Sequence, residues 1–226
     1  MRYRAVSGAA VASVILGLLS SLALVDPLLW VVPVVGVAVG ALALWRIARR
    51  QPALIGRRAA LAGLLLSMLL GAAAVSDWYG YRWLVRREAV RFADLWFEQL
   101  ADDQPQRAYQ LTLGPRARQP WDDKLWESYR QNPRWRSDLE YFASQPLWRT
   151  LLALGHRANA RYYQSAGQAK TDWGDSVSLI YAVTYDEDGG KKTFFVRLEL
   201  ERLQLDLGGA NFRLARATGG VRPEGM

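Results

Sequence analysis

The sequence predicts a chain in two parts, all-α transmembrane helices followed by an α+β domain. Three observations predict it. Residues 5–45 and 59–76 are almost wholly apolar, whereas everything after Trp83 has the mixed composition of a water-facing domain. From 84 to 101 the apolar residues recur at helical spacing, and the stretch on to 155 reads as short helical pieces. Beyond Gly155 they alternate with the period of two that marks β-strands.

The charge divides at the same place. Of the net charge of +8, residues 1–76 carry +6, with seven Arg and the single acid Asp26. The remaining 150 residues are close to neutral. A high pI confined to membrane flanks argues against a nucleic-acid partner, which would need a basic patch on a folded surface. The chain has no Cys, so disulfides, Cys-containing zinc sites and thiol catalysis are excluded.

The first apolar run, Ala5 to Val25, matches a hydrocarbon core about 30 Å thick at about 1.5 Å rise per residue. Asp26-Pro27 ends it, because a carboxylate in hydrocarbon is costly and Pro restricts its predecessor. The second run, Leu28 to Trp45, holds Pro33 near its start, where a missing N–H costs least. The third runs from Ala59 to Ser76. Backbone groups in lipid must bond within their own segment, so all three are predicted as helices. A cleaved leader over residues 1–25 or a re-entrant hairpin over 5–45 is the alternative. A leader wants a shorter apolar core than this one. Gly36-x-x-x-Gly40 allows two backbones to approach closely, either within the bundle or in a homo-oligomer.

Arg46, Arg49, Arg50, Arg57 and Arg58 crowd the loop between the second and third runs, and Arg2 and Arg4 precede the first. The positive-inside rule puts these in the cytoplasm and, after three crossings, the C-terminal domain outside it. Trp78, Tyr79, Tyr81 and Trp83 form an interfacial aromatic belt. The expected division is a three-helix transmembrane domain over 1–78, an extracytoplasmic α+β domain over 79–218 and a frayed tail over 219–226.

Three motifs, Ala12-Ser13-Val14-Ile15-Leu16-Gly17-Leu18-Leu19-Ser20, Gly40-Ala41-Leu42-Ala43-Leu44-Trp45-Arg46-Ile47 and Gly56-Arg57-Arg58-Ala59-Ala60-Leu61-Ala62-Gly63-Leu64, resemble the DUF4190 type of small bacterial membrane domain over about residues 9–75. Members usually carry Gly where Ser67 stands here. The resemblance implies an anchor in the bacterial cytoplasmic membrane, with the lipid bilayer as partner.

In the second part, Ala89, Phe92, Ala93, Trp96, Phe97 and Leu100 make one face of an amphipathic helix over 84–101. It either continues from the third apolar run or bends at Tyr79-Gly80-Tyr81. Pro105 suits the first turn of a short helix over 105–112, and Gly114-Pro115 breaks it. Asp122 and Asp123 are placed to cap a stretch with Leu125, Trp126 and Tyr129. Asn132-Pro133 interrupts that stretch, and 137–144 reads as a turn or two. Pro146 starts a helix that Gly155 ends. Strands follow at 158–170, 175–186 and 191–202, the last pair joined by a turn at Asp188-Gly189. A break is expected near Leu203, then a turn at Gly208-Gly209 and a last strand with Phe212 and Leu214. Helices first and an antiparallel meander afterwards define an α+β domain.

Phe92-x-x-x-Trp96-Phe97-x-x-Leu100, then Asp103 through Ala108-Tyr109-x-Leu111-Thr112, then a late sheet, resemble the NTF2-like superfamily over about residues 86–217. That resemblance implies a cone, a curved antiparallel sheet folded around helices to leave a cavity. Members of the superfamily include enzymes and non-catalytic binding domains.

Chemistry is sparse. His156 is the only His and lies at a helix-to-strand junction, a setting for a capping group rather than a base. Asp172, Asp175, Asp186, Glu187 and Asp188 fit no calcium loop. Glu199 and Glu201 share a strand face with Arg197 and are placed either to line a cavity or to pair with Arg202 or Arg213 across the sheet. No cofactor, metal site or catalytic constellation is predicted. The aromatic set is richer. Trp121, Trp126, Trp135 and Trp148, with Tyr129, Tyr141, Tyr162 and Tyr163, stand near Arg130, Arg134, Arg136 and Arg149, a mixture favoured in binding surfaces and equally at home in a core. Trp126, Tyr129, Trp135, Trp148 and Tyr163 are the candidate binding residues, with an envelope protein or a small ligand as partner. The expected function is a membrane-anchored, non-catalytic binding or scaffold protein of the cell envelope. The alternative is an enzyme using carboxylates in the cavity.

Overall fold

The structure is a computed structural model that describes residues 5–6, 8–49, 54–205 and 209–223. The chain divides into two compact units, Met1–Trp83 and Leu84–Met226.

In the first unit, helix α1 (Gly8–Leu19) tightens into a 3-10 stretch, Ser20–Leu24. Asp26 turns the chain. Its Oδ1 accepts from Leu28 N–H at 2.7 Å and caps a second 3-10 turn, Pro27–Trp30, which leads into α2 (Val31–Arg49). Helix α3 begins at Arg57 and runs without interruption to Ala101, through Gly80 and across the boundary between the units. The two-residue strands β1 (Ala5–Val6) and β2 (Leu54–Ile55) pair in parallel, so α1 and α3 start at the same end. Two helical stretches, Pro27–Arg49 and Arg57–Ala101, are long and apolar enough to cross a membrane. Three runs were expected to be that long. The first, Gly8–Leu24, is shorter among the described residues, since Ala5–Val6 pair as a strand and Asp26 turns the chain at its other end.

The packing of this unit is inverted relative to a water-soluble bundle. Among the described residues, the buried ones are all Ala, Gly, Ser or Pro33. They recur three and four apart, as Ala10, Ser13, Gly17 and Ser20 on α1 and its extension, Pro33, Gly36, Gly40 and Ala43 on α2, and Ala60, Gly63 and Ser67 on α3. Larger side chains point away, with Leu28 83% and Leu69 68% exposed. Small seams let the backbones close up. A Cβ at Gly17 would stand 2.9 Å from Gly63 O, and one at Gly40 would stand 2.9 Å from Leu64 Cβ. Ser13 Oγ donates across the seam to Ala60 O at 3.3 Å. The Gly36/Gly40 pair is thus occupied within the chain, against Leu16, Ser67, Leu64 and Ser13.

In the second unit the order is the rest of α3, then α4 (Pro105–Gln110), α5 (Leu125–Gln131), α6 (Pro133–Ser144) and α7 (Pro146–Leu154), then strands β3 (Ala158–Thr171), β4 (Gly174–Glu187), β5 (Gly190–Gln204) and β6 (Ala210–Gly219). The four strands make an open antiparallel meander in sequence order. Two expectations are corrected. Residues 137–144 belong to the 12-residue helix α6, because Asn132 Oδ1 caps it by accepting from Arg134 and Trp135 N–H and Pro133 takes the first turn. No break falls at Leu203, since β5 runs on to Gln204, held by pairing of Leu203 with Asn211. Residue 208, in the expected glycine turn, lies outside the described residues; Gly209 has φ +86°. At the far end Asp188 and Gly189 both take positive φ, as a two-residue hairpin turn demands. Gly219 closes β6, and Val221 N–H donates to Phe195 O.

The core lies between one face of α3 and one face of the sheet. Val85, Ala89, Phe92, Trp96 and Leu100 meet Val177, Leu179, Tyr181, Val196 and Leu198, all buried. Each buried aromatic withdraws about 150–250 Å² from water. Tyr181 is fully buried and directs its hydroxyl at Asp94 Oδ1, 2.7 Å away, with Val90 O at 3.1 Å. Burial, reinforced by that hydrogen bond, holds its phenol well above the ordinary tyrosine range.

The seam makes a direct prediction. In Gly63→Leu the new side chain runs into the Ser13 backbone, so the thermal midpoint in detergent should fall by the equivalent of roughly 1–3 kcal/mol or more. Leu69→Ala, on the outward face, should leave it nearly unchanged.

Candidate binding groove

The helices of the second unit assemble a groove around one buried amide. Gln110, 1% exposed, donates from Nε2 to Tyr129 Oη at 2.6 Å and accepts at Oε1 from Gln119 N–H at 2.7 Å. It therefore ties the end of α4 to α5 and to the intervening loop. Arg118 fastens the same loop to the sheet. Its Nε donates to Gln110 O and Leu113 O at 3.1 and 3.2 Å, its terminal nitrogens reach Asn211 Oδ1 and Phe212 O, and its guanidinium lies 5.6 Å from the Phe92 ring. These are carbonyl and ring partners, and burial lowers the guanidinium pKa.

Two hollows open on this frame. One, of about 390 Å³, is lined by Tyr109, Asp138, Tyr141, Phe142, Gln145, Trp148 and Arg216 among others. The second, of about 240 Å³, is lined by Tyr109, Gln110, Tyr129, Arg134, Trp135 and Asp138 among others. They share Tyr109 and Asp138, so the two hollows adjoin at that pair, with aromatic residues lining both, a carboxylate between them and a guanidinium beside each. The rings are continuous. Trp135 contacts Tyr129 at 6.1 Å, Tyr129 contacts Tyr109 at 6.1 Å, Tyr109 contacts Phe142 at 5.4 Å, and Phe142 stacks on Trp148 at 5.2 Å. Trp148 Nε1 donates to Gln145 Oε1 at 3.0 Å, which holds the indole that stacks on Phe142. Burial, with Asp138 as a second cause, raises the Tyr109 phenol pKa. The Tyr129 phenol is pushed up to about 12, chiefly by burial and against the opposing effect of its bond from Gln110.

Of the five candidate binding residues, the structure brings Tyr129, Trp135 and Trp148 to this groove. It leaves out Trp126, which is 49% exposed on α5, and Tyr163, which is 45% exposed on β3. Tyr162 faces the core against Tyr181, so strand alternation puts Tyr163 on the other face of the sheet, where its ring meets Phe195 at 5.2 Å. Tyr109, Asp138 and Arg216 were not singled out. Asp138, three residues after Trp135 on α6, was legible once that helix was drawn through; Arg216 arrives from the last strand and leaves no local signal.

A third hollow, of about 330 Å³, lies between α3, the start of β3 and the Gly155 corner. Asp94 and Glu98 line it four residues apart, with His156 Nε2 2.9 Å from Asp102 Oδ1 at its rim. These acids are exposed, and Asp94 already accepts from Tyr181. Among the described residues no group of three His, Asp or Glu is placed to hold a metal. Glu201 pairs with Arg213 at 2.6 Å and Arg202 with Glu88 at 3.2 Å, so those charges fasten strands and helix.

Compared with family models, curated proteins and solved structures, the chain has no match. What the geometry defines is an apolar helical unit joined to an α+β unit that bears an aromatic groove.

The buried phenols predict an alkaline loss of stability. The folded protein keeps the Tyr129 proton to about 12, whereas the unfolded chain releases it from the ordinary value of 10.0. The stabilisation is complete below pH 10 and is lost as pH rises towards 12. Denaturant midpoints measured at pH 9 and 11 by Trp fluorescence should drop less in Tyr129→Phe than in the parent.

Proposed function

We propose that the chain is a membrane-anchored binding protein of the bacterial cell envelope, whose second unit holds a partner in the aromatic groove. The groove is the observation that carries this reading. Three of its aromatics and its waist carboxylate come from three separate helices, yet they converge on one surface. Aromatic floors with a few fixed charges are what recognition sites for extended polypeptide segments use. A chain with apolar or aromatic side chains in the two hollows, a cation opposite Asp138 and acids opposite Arg134 and Arg216 is the complementary occupant.

The anchor in this proposal is the first unit, crossing the bilayer three times as a DUF4190-like bundle. The inverted packing supports it, since outward Leu and Val suit lipid and are costly in water. Arg46 and Arg49 close α2 and Arg57 and Arg58 open α3, at the end where α1 also begins; Asp26 and Pro27 mark the other end. The charge asymmetry supports a cytoplasmic basic end, with the second unit outside the cytoplasm. The second unit is proposed to be an NTF2-like cone, a reading that the order of helices and meander supports. Confinement to the bilayer raises the effective concentration of the groove for a neighbouring envelope protein, so modest affinity suffices.

A photocrosslinking residue in place of Trp135, in otherwise intact membranes, tests the groove. One reproducible adduct is expected, with the linked peptide mapped to the groove, and Asp138→Arg should reduce it about tenfold at unchanged thermal stability. An adduct indifferent to Asp138→Arg, or none, would contradict the proposal.

A further inference from the structure

Trp173 is 79% exposed, the most exposed of the large apolar side chains among the described residues of the second unit. It stands at the two-residue tip of the β3–β4 hairpin, between the paired residues Thr171 and Gly174. The tip is built rather than slack. Thr171 Oγ1 donates to Gly174 O at 3.0 Å, and Gly174 takes φ +142°, where a Cβ would collide with the Arg202 carbonyl. The backbone is therefore fixed while the indole is left in the open.

The direction of the tip follows from contacts within the unit. Val183 lies by Leu100 and Ala101 of α3. Tyr181, earlier on β4, reaches Asp94 and Val90. Earlier still, Asp175 is opposite Arg202, which reaches Glu88 at 3.2 Å. Low numbers on β4 thus accompany low numbers on α3. The hairpin carries on about 7 Å beyond Asp175, at about 3.3 Å per residue, towards the end where α3 enters the unit at Leu84. Leu84 follows Ser76, the last residue of the third apolar run, by eight positions. Exposed Arg86 on α3 and Lys170 on β3 belong to the same end. An amphipathic ring on a rigid tip matches the chemistry of the headgroup layer, where indoles settle, and Lys170 and Arg86 offset the carboxylates of Asp172 and Asp175 at the same end.

We infer that Trp173 inserts the β3–β4 tip into the lipid interface and gives the second unit a contact with the bilayer in addition to the chain that enters it. The inference rests on the reading of the first unit as a membrane anchor. The absence of Cys makes the test direct. Single cysteines at Asp172→Cys, Lys191→Cys and Leu69→Cys are spin-labelled in the full-length protein, reconstituted at one copy per nanodisc of phosphatidylcholine and phosphatidylglycerol. Collision with a water-soluble nickel complex is then compared with collision with oxygen. Leu69→Cys should report lipid and Lys191→Cys water. Nickel access at Asp172→Cys should be about threefold or more below that at Lys191→Cys, and Trp173→Ser in the same chain should restore it. Equal access at Asp172→Cys and Lys191→Cys overturns the inference and leaves the anchor standing, as does protection that survives Trp173→Ser. Protection seen only at several copies per disc assigns the tip to a second copy and also overturns it. Water access at Leu69→Cys overturns the anchor itself.

Discussion

Ser13, Gly40 and Gly63 meet where three helices of the first unit approach, and nothing larger than Gly or Ser fits there. The arrangement of that unit depends on this restriction. In water, a bundle this poor in buried large side chains would leave most of its apolar surface exposed and would gain little from burial. In lipid, where the hydrophobic effect does not drive helices together, close backbone contact and the Ser13-to-Ala60 bond are what remain to hold them. Small residues inside and Leu and Val outside suit the lipid surroundings proposed for this unit. The second unit solves the opposite problem, with Trp96, Tyr181, Leu179 and Leu198 inside and its charges outside.

Helix α3 belongs to both regimes. Its first half carries Ala60, Gly63 and Ser67 inward; its second half carries Phe92, Trp96 and Leu100 inward. The change falls within one continuous helix, and no loop intervenes at the boundary. Gly80 does not interrupt it, because a lone Gly costs a helix only about 1 kcal/mol relative to Ala and nothing nearby competes for the backbone.

Much of this was legible in the residues. The shift from a helical period to a period of two located β3, β4 and β5 within a residue or two, Phe212 and Leu214 marked the last strand, and Asp188-Gly189 identified the β4–β5 hairpin turn. Pro146 and Gly155 bracketed α7. The sequence reading failed where a local signal had two meanings. Asn132-Pro133 reads as an interruption and is also a cap followed by a favoured first-turn residue, so α6 was cut short. The bulges in β3 are invisible to alternation, but alternation itself sets Tyr163 opposite the core-facing Tyr162 and so away from the site. The groove was half legible. Its aromatics were conspicuous, but Gln110, a buried amide that joins Tyr129 to Gln119, looks like any polar residue on a short helix. Arg216 reaches the groove through strand pairing alone. Trp96 Nε1 is buried with no hydrogen-bond partner among the described residues, and nothing in the structure accounts for it.

The central claim is that the outward-facing Leu and Val of the first unit lie in a bilayer and that the second unit emerges on its far side. A membrane-impermeant maleimide applied to intact cells tests it most directly, with a single cysteine at Glu187, on the exposed β4–β5 hairpin, and another at Arg57, at the start of α3. The account predicts that Glu187→Cys is labelled without lysis and Arg57→Cys only after it. Labelling in the reverse order, or of both sites only after lysis, would contradict it.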